Sequence, residues 1–429
     1  MTGWRPTAAL VRLVVLAFVP LVAGLLSGRP DVLVLAVPFV LVGALASLRR
    51  PVAVPTMRIE APAGALTERT EVPVDVIVGN AGGPECATVI RFWPGPWIGA
   101  RRRDSYIAVQ VPAGAGRTRQ IPVVLLRWGR PELGSVEFTS FSADLLVQSD
   151  TVRARGSALT VVPEVGVFSA DDAMPNAAGL VGVHRSRRAG DGGELAGVRP
   201  YGPGDRLRRI DWRTSLRTGD LHIAQTLSDR DAELVILLDL LHEVGGPDGV
   251  HSILDATVHA AAGIATHYLD CGDRVALQEF GASSRLLRAA GGRRRRVVLL
   301  EWLLAVRPAT SDFDVESLMR SWSRVPRSSL VVVLTPLLDD RSAAMAALLA
   351  RGGRSVVAVD TLPADLAPPR SGRWADVAFR LGNLERANGI AQLAEHGVPT
   401  VRWDGAGSLD QVLRESSRRS GASRPGRAG

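Results

Sequence analysis

The sequence predicts an N-terminal two-helix transmembrane hairpin (residues 1–50), an all-β Ig-like sandwich (55–163) and a doubly wound, Rossmann-like α/β domain (232–415). Three observations predict this order. Two apolar runs stand side by side at the N-terminus, period-two alternation takes over past Pro55, and continuous apolar runs such as Leu234–Asp239 then alternate with helical segments. A polar connector (164–231) lies between the second and third parts, and the Ser/Arg/Gly-rich residues 416–429 have the composition of a disordered tail.

In the hairpin, Ala8–Ser27 is interrupted only by Arg12, and Val32–Leu48 carries no charge. Each approaches the roughly 20 residues that cross a hydrocarbon layer. Pro20 and Pro38 lie inside the runs, which membrane helices tolerate, and Ser27–Asp31 is a compact turn. A cleaved signal peptide would explain the first run but not the second. Arg5, Arg12, Arg49 and Arg50 flank the hairpin, whereas its loop balances Arg29 with Asp31; the positive-inside rule therefore places both ends in the cytoplasm and residues 8–48 in the bilayer.

Past the hairpin, Glu71–Asn80 alternates apolar and polar residues and ends in a Gly-Asn turn. Further strands are expected at Thr88–Trp93, Ser105–Val111, Arg119–Leu126, Gly134–Ser140 and Leu159–Val162, a spacing that suits a sandwich. Trp93 and Trp97 flank Pro-Gly-Pro, which is either a sugar- or peptide-binding aromatic pair or a rigid loop over the sandwich end, the second being favoured.

In the α/β domain, strands are expected at Leu234–Asp239, Arg274–Phe280, Ser329–Thr335, Ser355–Asp360 and Val398–Arg402. Helices are expected at Ser252–Leu269, Arg296–Val306, Val315–Trp322, Ser342–Arg351 and Ile390–His396. Ligands in such sheets bind beyond the strand C-termini, where Asp239 lies. His251, Asp255 and His259 share one helix face near His242, which suits zinc spacing but lacks an identifiable full ligand set. Arg293–Arg296 is expected to be a solvated charge run.

The 429-residue chain has a formal net charge of +8. All its basic residues are Arg and they are interleaved with acids, so a nucleic-acid footprint is not expected. Absence of Lys excludes an ordinary P-loop, a Schiff base and a kinase-type Lys. Cys86 and Cys271 are far apart and are expected as free thiols, not as a disulfide framework.

The densest functional-looking stretch is Gly197–Arg213, with Gly202-Pro203-Gly204 as a tight turn and Asp205 placed after it as a helix cap would be. Tyr201, Gly204, Asp205, Arg208, Ile210, Asp211 and Trp212 resemble the Tyr-x-x-Gly-Asp-x-x-Arg-x-Ile-Asp-Trp signature of the DUF58 family, which precedes a von Willebrand factor A (vWA) domain. The likeness continues through Arg213, Arg217, Thr218 and Leu221, and departs at Pro200, where the family usually has Glu. Arg127–Gly134 is similar to another family segment, and Ser142–Leu146 is a degenerate form of the one that follows it.

The resemblance implies a vWA-like α/β domain. Its metal site takes Asp-x-Ser-x-Ser, a Thr and a second Asp; here Asp239 is kept and Thr310 is the Thr candidate, but Leu241, Glu243 and Pro336 occupy the other positions. A degenerate site without useful metal affinity is expected, with Asp239 satisfying loop amides instead. No cofactor is expected and no catalytic motif is present. The resemblance further implies a membrane-anchored, cytoplasmic, non-enzymatic adaptor beside a MoxR-type AAA+ ATPase in protein assembly or remodelling. Partner contact is expected through Arg199, Tyr201, Gly204, Asp205, Arg208, Asp211, Trp212 and Arg213. The alternatives are a metal-dependent vWA adhesion module and a hydrolase of unrecognised site. A polar connector pinned by Arg–Asp pairs is the bland reading of the signature, favoured over any chemistry there.

Overall fold

The computed structural model describes residues 3–49, 51, 53–101, 106–165, 189–202, 210–227, 233–245, 252–281, 285–308, 329–363 and 374–405. The chain divides into two compact units, Met1–Glu164 and Val165–Gly429.

The first unit opens with β1 (Trp4–Pro6), followed by α1 (Ala8–Ser27), α2 (Pro30–Val34) and α3 (Val37–Leu48). Thr7 caps α1, its hydroxyl accepting from the Leu10 amide. The turn closes through Gly28 at φ 65°, whose N–H donates to the Gly24 carbonyl. A Cβ on Gly24 would stand 2.7 Å from Leu33 Cδ2, so the missing side chain lets α1 and α2 approach at the turn. Pro20 leaves α1 continuous, but Pro38 marks a break in the second run. Leu35 and Ala36 form i→i−3 bonds to Val32 and Leu33 before α3 begins, since Pro38 lacks the amide that would continue the ladder. Both runs are long and apolar enough to cross a membrane. Unlike core helices they are exposed: only Gly24 is buried in α1 and only Ala46 in α3.

The rest of this unit is β-sheet: β2 (Thr56–Glu60), β3 (Ala65–Thr67), β4 (Glu71–Gly79), β5 (Cys86–Pro94), β6 (Ile98–Ala100), β7 (Tyr106–Val111), β8 (Gly116–Leu125), β9 (Gly134–Ser142), β10 (Val147–Ser149), β11 (Val152–Arg155) and β12 (Thr160–Val162). One sheet runs β1-β10-β9-β5-β7 with β11 also on β9; the other runs β2-β4-β8-β6; β3 and β12 pair in parallel. Val72, Val74, Val76 and Val78 of β4 and Ile121, Val123 and Leu125 of β8 meet Ile90, Phe92, Val136 and Phe138 of the larger sheet in one core. The alternation read from the sequence is therefore the inner face of two packed sheets.

One boundary is corrected. Trp4–Pro6 belongs to the sandwich, pairing antiparallel with β10 in the register Trp4↔Ser149, Arg5↔Gln148, Pro6↔Val147. Trp4 is buried in a cluster with Ala46, Ala143, Leu146 and Val147, and its indole N–H donates to the Ala53 carbonyl at 3.2 Å. Both ends of the helical hairpin are thus seated on the same end of the sandwich.

The second unit holds β13 (Ala189–Pro200), α4 (Trp212–Thr218), β14 (His222–Leu227), β15 (Glu233–Asp239), α5 (Ile253–Asp270), β16 (Arg274–Phe280), β17 (Leu286–Ala290), α6 (Arg293–Leu304), β18 (Leu330–Thr335), α7 (Asp340–Arg351), β19 (Ser355–Asp360), α8 (Ala375–Glu395) and β20 (Thr400–Arg402). Its main sheet runs β17-β16-β15-β18-β19-β20, parallel except for the edge strand β17. Val235, Leu237, Val331, Val333, Val356 and Ala358 face α7 and α8 on one side. On the other, α5 lies against β15, β16 and β18. Burial on both faces explains why these strands are continuous apolar runs.

Ser252 caps α5 in a full capping box with Asp255. The expected helix Ile390–His396 is the end of the far longer α8, whose side chains are mostly exposed, so no apolar stripe marked its start. The expected helix Val315–Trp322 and the tail 416–429 lie outside the described residues.

Candidate functional site

The signature block is framed by a β-ribbon. β13 and β14 pair antiparallel, ending at Arg199↔Ile223 and Pro200↔His222. Beyond them the Tyr201 amide donates to the Leu221 carbonyl at 2.8 Å, and the Asp211 amide to the His222 carbonyl at 2.9 Å. The block is therefore carried at the end of a two-stranded ladder. Gly204, Asp205 and Arg208 lie outside the described residues.

Asp211 is the cap of α4 that the structure shows. Its carboxylate accepts from the Arg213 amide at 3.1 Å, the Thr214 amide at 3.2 Å and the Thr214 hydroxyl at 3.0 Å. The bonds from Thr214 chiefly hold its pKa below the ordinary carboxylate value. Gly219 closes the helix at φ 83°. Ser215, which no motif or spacing singles out, is the buried hub: its hydroxyl donates to the Asp211 carbonyl at 2.7 Å and accepts from the His222 amide at 2.8 Å. Trp212 and Leu216, one helical turn apart, are 62% and 83% exposed. With Arg213 and Arg217 on the same short helix, they form an apolar step edged by positive charge. Arg199 donates to the Pro200 carbonyl at 3.0 Å.

The second candidate is the C-terminal edge of the α/β sheet. Asp239 ends β15 with only 2% of its surface exposed. Its carboxylate accepts from the Leu241 amide at 3.1 Å, the Thr335 hydroxyl at 2.7 Å and the Ser342 hydroxyl at 2.5 Å. Burial raises its pKa, against those three hydrogen bonds. Next to it, Asp339 caps α7 and accepts from Arg341 and from His242, whose Nε2 lies at 3.1 Å. Arg341 chiefly holds the Asp339 carboxyl below its usual range. Arg386 of α8 ties the Asp360 carboxylate to the Pro336 carbonyl.

This arrangement fits poorly with a divalent ion. Mg²⁺ demands an open, near-octahedral oxygen shell. Here Asp239 is bonded within the protein, Leu241 offers no side-chain oxygen, and Glu243 accepts from the Leu254 amide at 3.0 Å. Thr310 lies outside the described residues, as does His251. His259 bonds the Asp255 carbonyl at 2.7 Å and Asp255 serves the capping box, so the expected His/Asp face is engaged locally. No group of three or more His, Cys, Asp or Glu suited to a metal occurs among the described residues.

The two tryptophans flanking Pro-Gly-Pro stack on different arginines. Trp93 stacks under Arg91 at 3.6 Å and donates to Glu137 at 3.0 Å, whereas Trp97 lies under Arg127 at 4.8 Å. Neither cysteine is in a disulfide; Cys86 is buried and Cys271 exposed.

Uncharacterized proteins from Mycobacterium bovis and two strains of Mycobacterium tuberculosis are each 32% identical to this chain over 122 residues, covering 28% of it and 38% of their own length. The chain thus spans well under half of the curated relatives it matches. Two crystal structures of a beta-glucosidase from Listeria innocua, with glucose and with gluconolactone, align to 25% of this chain and 16% of theirs at 10% identity, with TM-scores of 0.12 and 0.11, too low to bear on fold or activity. The segment that holds both α4 and Asp239, residues 197–377, matches the family model described as "Protein of unknown function DUF58".

Proposed function

We propose that this chain is a membrane-anchored, cytoplasmic, non-enzymatic adaptor that works beside a MoxR-type AAA+ ATPase in assembling or remodelling other proteins. The observation that carries the contact is the step on α4: Trp212 and Leu216 are presented to solvent by a helix that Asp211 and Ser215 hold in place. Exposed Trp and Arg together are the residue types that dominate binding energy at interfaces. Two exposed helices long and apolar enough to cross a bilayer support the anchor. The parallel sheet with Asp239 ending β15 supports a vWA-like reading of the α/β unit, and the two-sheet core an Ig-like reading of the sandwich. The self-satisfied Asp239 favours this reading over a metal-dependent adhesion module.

The test is a detergent-solubilised pulldown with the full chain. Trp212→Ala and Leu216→Ala remove exposed side chains, so both variants are expected to fold and to lose an AAA+ ATPase that the wild type recovers, by tenfold or more at about 1.4 kcal/mol per decade. Recovery by all three would move the contact elsewhere, and no ATPase at any salt or nucleotide condition would sink the adaptor reading. A Mg²⁺ titration followed by thermal midpoint addresses the metal-module alternative, since a bound ion would raise the midpoint.

A further inference from the structure

We infer that the turn between β9 and β10, Ala143–Leu146, is a bilayer-contact collar whose Leu145 side chain inserts into the boundary between headgroups and acyl chains. The inference rests on the reading of the hairpin as a membrane anchor and adds a second, sandwich-borne contact to it.

Three successive non-glycine residues here are left-handed: Ala143 at φ 49°, Asp144 at φ 54° and Leu145 at φ 68°. Side chains with a Cβ are sterically disfavoured in that region, so the turn persists only because its surroundings hold it. The holding groups come from the hairpin. The Thr7 amide donates to the Leu146 carbonyl at 3.0 Å, and the Thr7 hydroxyl to the Leu145 carbonyl at 2.9 Å. Asp144 reaches Arg49, the residue after α3, at 3.8 Å. Within the turn the Leu146 amide closes on the Ala143 carbonyl at 3.1 Å.

The consequence is a division of side chains. Ala143 and Leu146 turn inward onto Trp4 and Ala46, with Leu10 and Leu13 of α1 packed against the cluster. Leu145 turns outward and is 55% exposed. Its carbonyl is bonded by the cap residue of α1, and its neighbour Asp144 touches the end of α3, so the turn is level with both helix ends. Val11 and Leu48, at those ends, are exposed too. An apolar side chain at the level where spanning helices leave the hydrocarbon has the bilayer boundary as its partner. Of the arginines at this end, Arg5 is paired with Asp150 at 2.7 Å and Arg49 with Asp144 of the turn itself, so the contact made by Leu145 is apolar and its insertion does not depend on anionic lipid.

The experiment uses the full chain with Cys271→Ser, leaving only the buried Cys86, and one environment-sensitive label at a time. Leu145→Cys reports the collar and Leu41→Cys the middle of α3. Glu132→Cys reports the opposite end of the sandwich, roughly 30 Å away along the nine-residue β9. In phosphatidylcholine vesicles, the label at 145 is expected to shift to the blue and to be quenched by lipids carrying a nitroxide near the headgroup. The label at 41 is quenched by deep nitroxides, and the label at 132 by neither. A water-like signal at 145 with deep quenching at 41 would overturn the collar while leaving the anchor. A water-like signal at 41 would overturn the anchor and the collar together. Insertion at 145 that appears only when phosphatidylglycerol is added would overturn the apolar contact.

Discussion

Asp239 faces inward, onto hydroxyls contributed about a hundred positions further along the chain. Thr335 ends the neighbouring strand β18 and Ser342 lies in the first turn of α7, so only the parallel pairing of β15 with β18 brings them to one carboxylate. That Asp239 would satisfy a loop amide was legible from its place at a buried strand end. Its hydroxyl partners were not, because no spacing rule links residues so far apart. Asp239→Ala leaves the Ser342 hydroxyl and the Leu241 amide without this partner inside the protein. Unfolding in detergent is expected to show a loss of about 3 kcal/mol, on the scale of one or two buried unpaired groups. Asp239→Asn keeps an acceptor and removes the buried charge. The folded carboxyl has a raised pKa, so the native state binds more protons than the unfolded chain between the ordinary carboxylate range and that raised value. The wild type therefore loses stability as pH rises through this window. Asp239→Asn is expected to lack that slope, and an unchanged slope would show that Asp239 is not its source.

At the scale of elements, legibility followed burial. Strands buried on both faces were found nearly to the residue, and β16 is Arg274–Phe280 as its apolar run indicates. Short or exposed elements were missed: β1 has three residues, one of them Pro, and β17 is an edge strand. α4 is the instructive case. Its signature residue Asp211 is the cap at the start of α4, while Asp205, expected as a cap from its place after the Gly-Pro-Gly turn, lies outside the described residues. Because the Asp211 pKa is lowered in the folded state, its support is present above the ordinary carboxylate pKa and fades as pH falls through the lowered value. Amide exchange at Thr214 and Ser215, referred to exchange at a buried strand such as β18, is expected to accelerate on acidification through that range. Asp211→Asn should flatten the dependence while keeping α4, since Asn caps nearly as well. Equal pH dependence in both proteins would mean that another group controls the helix.

For the molecule as a whole, the pairing of Trp4–Pro6 with β10 settles a point that hydropathy leaves open. The residues before α1 and those after α3 are held by the same end of the sandwich, so a hairpin that spans the membrane must have both ends on one side. Among the described residues no helix after Leu48 is long and apolar enough to return the chain across. A second unit that does not cross the bilayer would share the side of the sandwich. Which side is a question of charge: Arg5, Arg12 and Arg49 stand at the sandwich end, against Arg29 alone at the hairpin turn. The positive-inside rule counts Arg rather than net charge, so it leads us to expect the sandwich end of the hairpin in the cytoplasm. Cys271 supplies the test, because it is exposed in the second unit while Cys86 is buried in the first. A membrane-impermeant maleimide added to intact cells is expected to leave the protein unlabelled, and to label Cys271 but not a Cys271→Ser control once the membrane is opened. Labelling in intact cells would invert the hairpin, and would put the α4 step out of reach of any cytoplasmic ATPase.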